Sequence, residues 1–221
     1  WQTANYTDHQ VKHASAIADA LRECKVKYVV SLSSQGAHLE SGSGVVLGLH
    51  KMENIFNKIE GIHTLHLRPT YFMENSLGML GLIKQAGIMG SPVKADLSFP
   101  VIATKDIGNY AAKRLLALDF TGNNTQNLLG PREVSYPEIA KVYGAAIGKK
   151  DLKYIEFSYA DFKNSFIQQM GTSENVADNF NEFIKAMNEG KVMATAKRDA
   201  ESTTPTTIEE FANTFKYVYN M

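Results

Sequence analysis

Thr64-Leu-His-Leu-Arg-Pro-Thr-Tyr-Phe-Met-Glu-Asn75 decides how this chain is read. Its first four residues form a short apolar run of β-forming types, which reads as a buried strand over Thr64–Leu67 stopped by Pro69. The second part, Leu67–Asn75, ends that strand and opens a loop ahead of a helical pattern over Leu77–Ala86. In open α/β sheets, ligands bind beyond the carboxyl ends of strands. The backbone amides and rings of Pro69, Thr70, Tyr71, Phe72 and Asn75 are therefore expected at a ligand edge. The competing reading makes Tyr71 and Phe72 plain core aromatics.

Upstream, Tyr28-Val-Val-Ser-Leu32 is a second buried-strand signal. It is preceded by a helix with Asp8 as its expected N-cap and Val11, Ala14, Ile17, Ala18 and Leu21 at helical spacing. A Gly/Ser-rich loop is expected over residues 33–48, then a helix over Lys51–Ile59. Downstream, Val101–Ala103 reads as a strand, Asp106 as the cap of a helix over Ile107–Leu118, and Gln126–Gly130 as another strand. Ser135-Tyr-Pro-Glu138 and Thr207-Ile-Glu-Glu210 both match a capping box. From Asp161 on, the pattern is mostly amphipathic helix. Strands separated by helices mean βαβ units and a parallel sheet with right-handed crossovers.

Composition narrows the function classes. The 221 residues carry 23 basic and 23 acidic side chains, so no net field draws the chain to nucleic acid or an anionic membrane. No apolar run approaches the roughly 20 residues of a bilayer-spanning helix. Cys24 is the single cysteine, which excludes an intrachain disulfide and fits a reducing, cytoplasmic setting. At a helix end and with no marked basic or histidine partner in sequence, it reads as an inert thiol. The chain opens at Trp1, not Met. His9 and His13 lie at i and i+4 without a third ligand, and His63 and His66 point to opposite faces of a strand. No metal site is expected.

Gly42-Ser-Gly44-Val-Val-Leu-Gly48 has a spacing used to cradle pyrophosphate. That chemistry needs glycines between a buried strand and a helix N-terminus. The preceding Ala37-His-Leu-Glu-Ser41 is not such a strand, so a flexible loop beside the site is the reading taken. Ser33 and Ser34, at the end of the Tyr28–Leu32 strand, either hydrogen-bond a ligand or cap a turn. Lys51, taken alone, reads as a solvated helix lysine.

In order and spacing, four stretches resemble the NmrA-like group of atypical short-chain dehydrogenases over essentially the whole chain. They are Lys27–Ser34, Glu53–Asn75, Ile102–Gly108 and Leu128–Ser135. The resemblance implies an α/β fold: an incomplete Rossmann-type parallel sheet with a mostly helical C-terminal lobe, divided at residues 1–130 and 131–221. It implies NADP or NAD as cofactor, bound by Ser33, Ser34, Gln35, Gly36, Lys51, Pro69, Thr70, Tyr71, Phe72 and Asn75, with Ser33 to Gly36 and Pro69 to Phe72 lining the nicotinamide side. Family members reduce quinones or small carbonyl compounds, or sense the dinucleotide and bind a regulatory protein. The Tyr-x-x-x-Lys pair of active short-chain dehydrogenases uses a tyrosine proton donor. Here Lys51 matches the catalytic lysine, but Leu47 stands at the tyrosine.

By the same resemblance the first four strands and the glycine loop would precede Trp1. At about 30 residues per βαβ unit, that is roughly 75 to 85 residues. Dinucleotide binding by this chain would then be weak or lost. The strand Tyr28–Leu32 would be an apolar edge open to self-association.

Overall fold

The computed structural model describes residues 2–221. The elements in chain order are α1 (Tyr6–Glu23), β1 (Tyr28–Leu32), α2 (Leu47–Phe56), β2 (His63–Pro69), β3 (Tyr71–Phe72), α3 (Leu80–Ala86), β4 (Ile88–Ser91), β5 (Phe99–Ile102), α4 (Thr104–Ala117), β6 (Asn123–Leu128), β7 (Glu133–Val134), α5 (Tyr136–Ala146), β8 (Lys153–Glu156), α6 (Tyr159–Met170), α7 (Glu174–Asn188) and α8 (Ile208–Tyr219). The main sheet is parallel, in the order β1-β2-β6. Its register sets Ser31 beside His66 and Arg68 beside Asn127. β3 runs parallel to β5, which pairs antiparallel with β7, and β4 runs parallel to β8.

Three apolar clusters hold these layers. α1 and α2 cover one face of the sheet through Ala14, Ala18, Phe56, Ile59 and Ile62. α4 covers the other through Ile107 against Leu65, Leu67, Ile102 and Leu128. The largest cluster joins Met73, Ile83, Met89, Phe99 and Val101 to Tyr136, Tyr143, Ile184, Phe211 and Phe215, so it draws on residues either side of 130. Among the described residues, no helix is long and apolar enough to cross a membrane.

Several local expectations are corrected. Asn5, not Asp8, caps α1: its side chain accepts from Asp8 N, which places Asp8 in the first turn. α2 begins at Leu47 and ends at Phe56, because a short 3-10 turn over Gly44–Val46 already starts the helical path. β2 runs through Pro69, whose carbonyl accepts from Gln35 N. Asp106 caps nothing. α4 starts at Thr104, whose N–H is taken by the Glu74 carboxylate. Asp106 instead accepts from the N–H and hydroxyl of Thr206, 100 residues away. Ser135 caps α5, but Glu138 turns to Arg132 and does not complete the box. Thr207 and Glu210 form the full reciprocal box on α8.

Candidate functional site

The β1–β2 ladder continues past the end of β1. Ser33 N donates to Leu67 O at 2.7 Å and Gln35 N to Pro69 O at 2.9 Å, while Thr70 N donates to Leu128 O at 3.0 Å. These bonds gather Ser33–Gly36, Pro69–Thr70 and Leu129–Gly130 at one carboxyl edge, the edge at which open α/β sheets take ligands.

The polar side chains at this edge are tied to one another. Ser33 Oγ donates to Glu53 Oε1 at 2.5 Å. Arg68 grips the same carboxylate with two bonds, Nε to Oε1 at 2.9 Å and Nη2 to Oε2 at 2.5 Å. Gln35 Nε2 donates to Arg68 O and to Asn127 Oδ1, which ties the turn after β1 to both β2 and β6. Thr70 Oγ1 donates to Pro100 O. Ser34 is half-buried, and its carbonyl accepts from Ala37 N.

Tyr71 sits inside the large aromatic cluster. Its hydroxyl accepts from Tyr136 at 2.8 Å, and its ring meets Phe99 and Tyr136 edge-on. Burial pushes its phenol well above the usual range. Phe72 packs beside the Ile102 cluster, and Asn75 is exposed on the turn that follows. Lys51 is exposed on α2, one turn beyond half-buried Leu47. Ser33, Gln35, Gly36, Pro69 and Thr70 therefore converge, whereas Lys51 and Asn75 face outward.

Two histidines were not among the expected site residues. Asn57 Oδ1 accepts from both Thr64 Oγ1 and His66 Nε2, leaving Nδ1 of His66 to accept from the Ser31 hydroxyl at 2.6 Å. His66 is fully buried, and desolvation lowers its pKa, the Arg68 charge adding to it against the pull of Glu53. His38 is lowered by desolvation first and by Arg68 second. Its Nδ1 lies 3.2 Å from Thr195 Oγ1, and a hydrogen bond to the Lys191 backbone acts in the opposite sense, favouring the charged ring.

Thr195 belongs to a strap, residues 191–206, that crosses the edge without helix or strand. Val192 packs on Gly36, where an added Cβ would lie 3.5 Å away. The Arg198 guanidinium donates to the carbonyls of Gly130 and Leu129, and Leu129 N donates to Ser202 O at 2.7 Å.

The expected flexible loop at Gly42–Gly48 is a packed turn. A Cβ on Gly44 would lie 1.9 Å from Asn179 O, and one on Gly48 would lie 2.1 Å from Gln10 Oε1. These glycines admit α7 and α1, not phosphate. His9 and His13 stack edge-on, with ring centroids 4.4 Å apart. Among the described residues, no group of three His, Cys, Asp or Glu is placed to hold a metal ion. Cys24 is exposed.

The model of the NmrA-like family matches residues 1–212. The chain belongs to the NmrA-like family. Festuclavine synthase I of Penicillium roqueforti is 26% identical over 161 residues, covering 69% of this chain and 55% of that protein. The chain thus spans about half the length of the first curated relatives it matches. Two solved structures share the fold. One is the NADPH-dependent quinone oxidoreductase QOR2 of Escherichia coli, with a TM-score of 0.74 at 19% identity, covering 91% of this chain and 70% of that one. The other is the triphenylmethane reductase of Citrobacter sp., with a TM-score of 0.74 at 18% identity, covering 97% and 73%.

What this NmrA-like chain offers a dinucleotide is uneven. Buried Gln35 Oε1 lacks a hydrogen-bond partner at the carboxyl edge, which leaves one acceptor there for a ligand donor. Among the described residues the Gly42–Gly48 run is the one with pyrophosphate spacing, and two of its three glycines, Gly44 and Gly48, are packed against α7 and α1.

Proposed function

We propose that this NmrA-like chain supplies the ring-side wall of an NAD(P)(H)-dependent oxidoreductase site acting on quinones or small carbonyl compounds. The observation that carries the reading is the carboxyl edge of β1, β2 and β6. There Ser33 and Gln35 are locked by hydrogen bonds while the Gln35 amide oxygen stays buried and unpaired. Carboxyl ends of parallel strands are where this class of sheet takes its ligands. A bound reduced nicotinamide supplies a hydride. The protein's part is to hold the ring and exclude water. Leu47 has no proton to give, so a quinone acceptor, which takes its proton from solvent, is favoured over a carbonyl that needs an enzymic donor.

The test follows NADPH oxidation with a panel of quinones and aldehydes. Quinone turnover with little aldehyde turnover supports the reading. For this chain itself dinucleotide binding is expected to be weak or lost, since the run with pyrophosphate spacing packs Gly44 and Gly48 against α7 and α1; micromolar NADPH affinity by calorimetry overturns that expectation. A second reading is a dinucleotide-sensing regulator that binds a protein partner. Leu47 and the outward-facing Lys51 favour it, and binding without any turnover would select it.

A further inference from the structure

α1 ends in a Schellman motif. Lys25 N donates to Arg22 O and Val26 N to Leu21 O, both at 3.1 Å. The motif needs a left-handed residue just after the cap Cys24, and that residue is Lys25, at φ +52°. Glycine is the usual occupant, because it has no Cβ to clash. α3 and α6 follow that rule and end on left-handed Gly87 and Gly171. A cation near a helix C-terminus is favoured by the helix dipole, but Arg22 in the last turn already supplies one. The backbone cost of Lys25 is therefore not explained by its own helix.

Lys25 lines an open groove of about 520 Å³ at the amino edge of the sheet, between the end of α1 and the turn from α2 to β2. Arg22, Lys25, Lys27 and Lys58 are the cations of this groove, and Glu60 is its one acid. Arg22 is bonded to Asp19 at 2.8 Å. Among the described residues, none of the three lysines takes part in an ion pair. Between them lie apolar Leu21, Val26 and Ile59, which offer no counter-charge. The chain as a whole has 23 basic and 23 acidic side chains, so this excess of positive charge is local. A long polyanion would run onto neutral surface beyond the groove. A compact anion with several charges meets three ammonium groups at once.

We propose that this groove binds a condensed phosphate chain of the triphosphate type, with Lys25, Lys27 and Lys58 each donating to phosphate oxygens. Lysine suits this task, since its ammonium is a point charge with three donors. The strained backbone at Lys25 then places a binding group, as strained residues at ligand sites do. The site is independent of the oxidoreductase reading. The five residues of β1 separate Lys27 from Ser33 at the carboxyl edge, a span of roughly 17 Å.

The test is an NMR titration of the whole chain at low ionic strength with sodium tripolyphosphate, orthophosphate and adenosine triphosphate. Tripolyphosphate should shift the amides of residues 25–27 and 58–61 saturably. It should bind roughly tenfold more tightly than orthophosphate, because the longer anion engages two further ammonium groups. Higher affinity for adenosine triphosphate than for tripolyphosphate identifies a nucleotide as the source of the phosphate chain; equal or lower affinity identifies the free chain. Lys25→Gly relieves the left-handed strain, so it should raise the melting temperature by roughly 2 °C while weakening tripolyphosphate binding about threefold. Loss of binding in a more stable protein is not misfolding. Lys58→Gln should weaken binding by a similar factor. Equal affinity of the unaltered chain for tripolyphosphate and orthophosphate overturns the proposal. So does unchanged tripolyphosphate affinity in Lys25→Gly, or shifts at Ser33–Gly36 in place of the groove.

Discussion

The ion pair between Glu53 and Arg68 is a buried pair whose cost of disruption follows from its geometry. The Glu53 side chain is 5% exposed and that of Arg68 16%. One carboxylate accepts two bonds from the guanidinium and one from Ser33. Glu53→Ala removes three hydrogen bonds and strands a positive charge and a hydroxyl in a site that water barely reaches. Breaking a buried pair from one side typically costs about 3–5 kcal/mol, because the remaining charge is left uncompensated. At a urea m-value of roughly 2.5 kcal/mol/M, the lower bound moves the unfolding midpoint by about 1 M. Glu53→Gln keeps the shape but faces Arg68 with an amide N–H2, so most of the loss should remain. The double variant Glu53→Met/Arg68→Met removes both charges and should recover most of the stability. Asp19→Ala, at the exposed Asp19–Arg22 pair, is the control and should cost about 0.5 kcal/mol or less. Urea unfolding at fixed m reads all four. A Glu53→Ala shift no larger than that of the control would refute the claim that this network is buried and cooperative.

Gly44→Ala places a Cβ 1.9 Å from Asn179 O at a φ of +50°, so it should cost on the order of 1–3 kcal/mol or more by thermal melting; a neutral outcome would mean the turn is not packed on α7. His38 and His66 both have folded pKa values lowered from about 6.5, so above that pH neither contributes a pH dependence. Below it the unfolded chain binds more protons, and stability falls as pH drops through the folded values. Urea midpoints at pH 7.5 and 5.5 should therefore differ, with a smaller difference in His66→Gln; identical slopes would exclude His66 as a source. The edge of β1, with Leu32 53% exposed at its end, is expected to drive concentration-dependent self-association in sedimentation. Leu32→Lys should weaken it, and a monomer at every concentration tested would remove the idea.

The parts of this molecule that were legible in the sequence are those encoded within a few residues. Runs such as Tyr28–Leu32 and Thr64–Leu67, and the Thr207-Ile-Glu-Glu210 box, carry their own periodicity and caps, and they fold as read. The short strands β4, β7 and β8 escaped because Ile88-Met-Gly-Ser91, Glu133-Val134 and Lys153-Tyr-Ile-Glu156 hold too few residues to set a period. The errors at Asp106 and Gly44 have a common cause. Each was read from its neighbours alone, Asp106 as an N-cap and Gly44 as part of a flexible loop, yet each answers to a distant partner: Thr206 in one case, Asn179 in the other. The edge of the sheet has the same character. Arg68 lies within the quoted LRPTYFMEN, but nothing nearby marks Glu53 as its partner or Tyr136 as the partner of Tyr71. Tyr71 shows what this implies for locating function. With its hydroxyl bound to Tyr136 and its ring against Phe99, it is held by the C-terminal core and serves as backing for the edge. The buried amide oxygen that still lacks a partner at that edge is on Gln35, a residue the family resemblance names but no local periodicity or cap marks. Local patterns place the strand ends, and long-range hydrogen bonds then decide which side chains there remain free to meet a ligand.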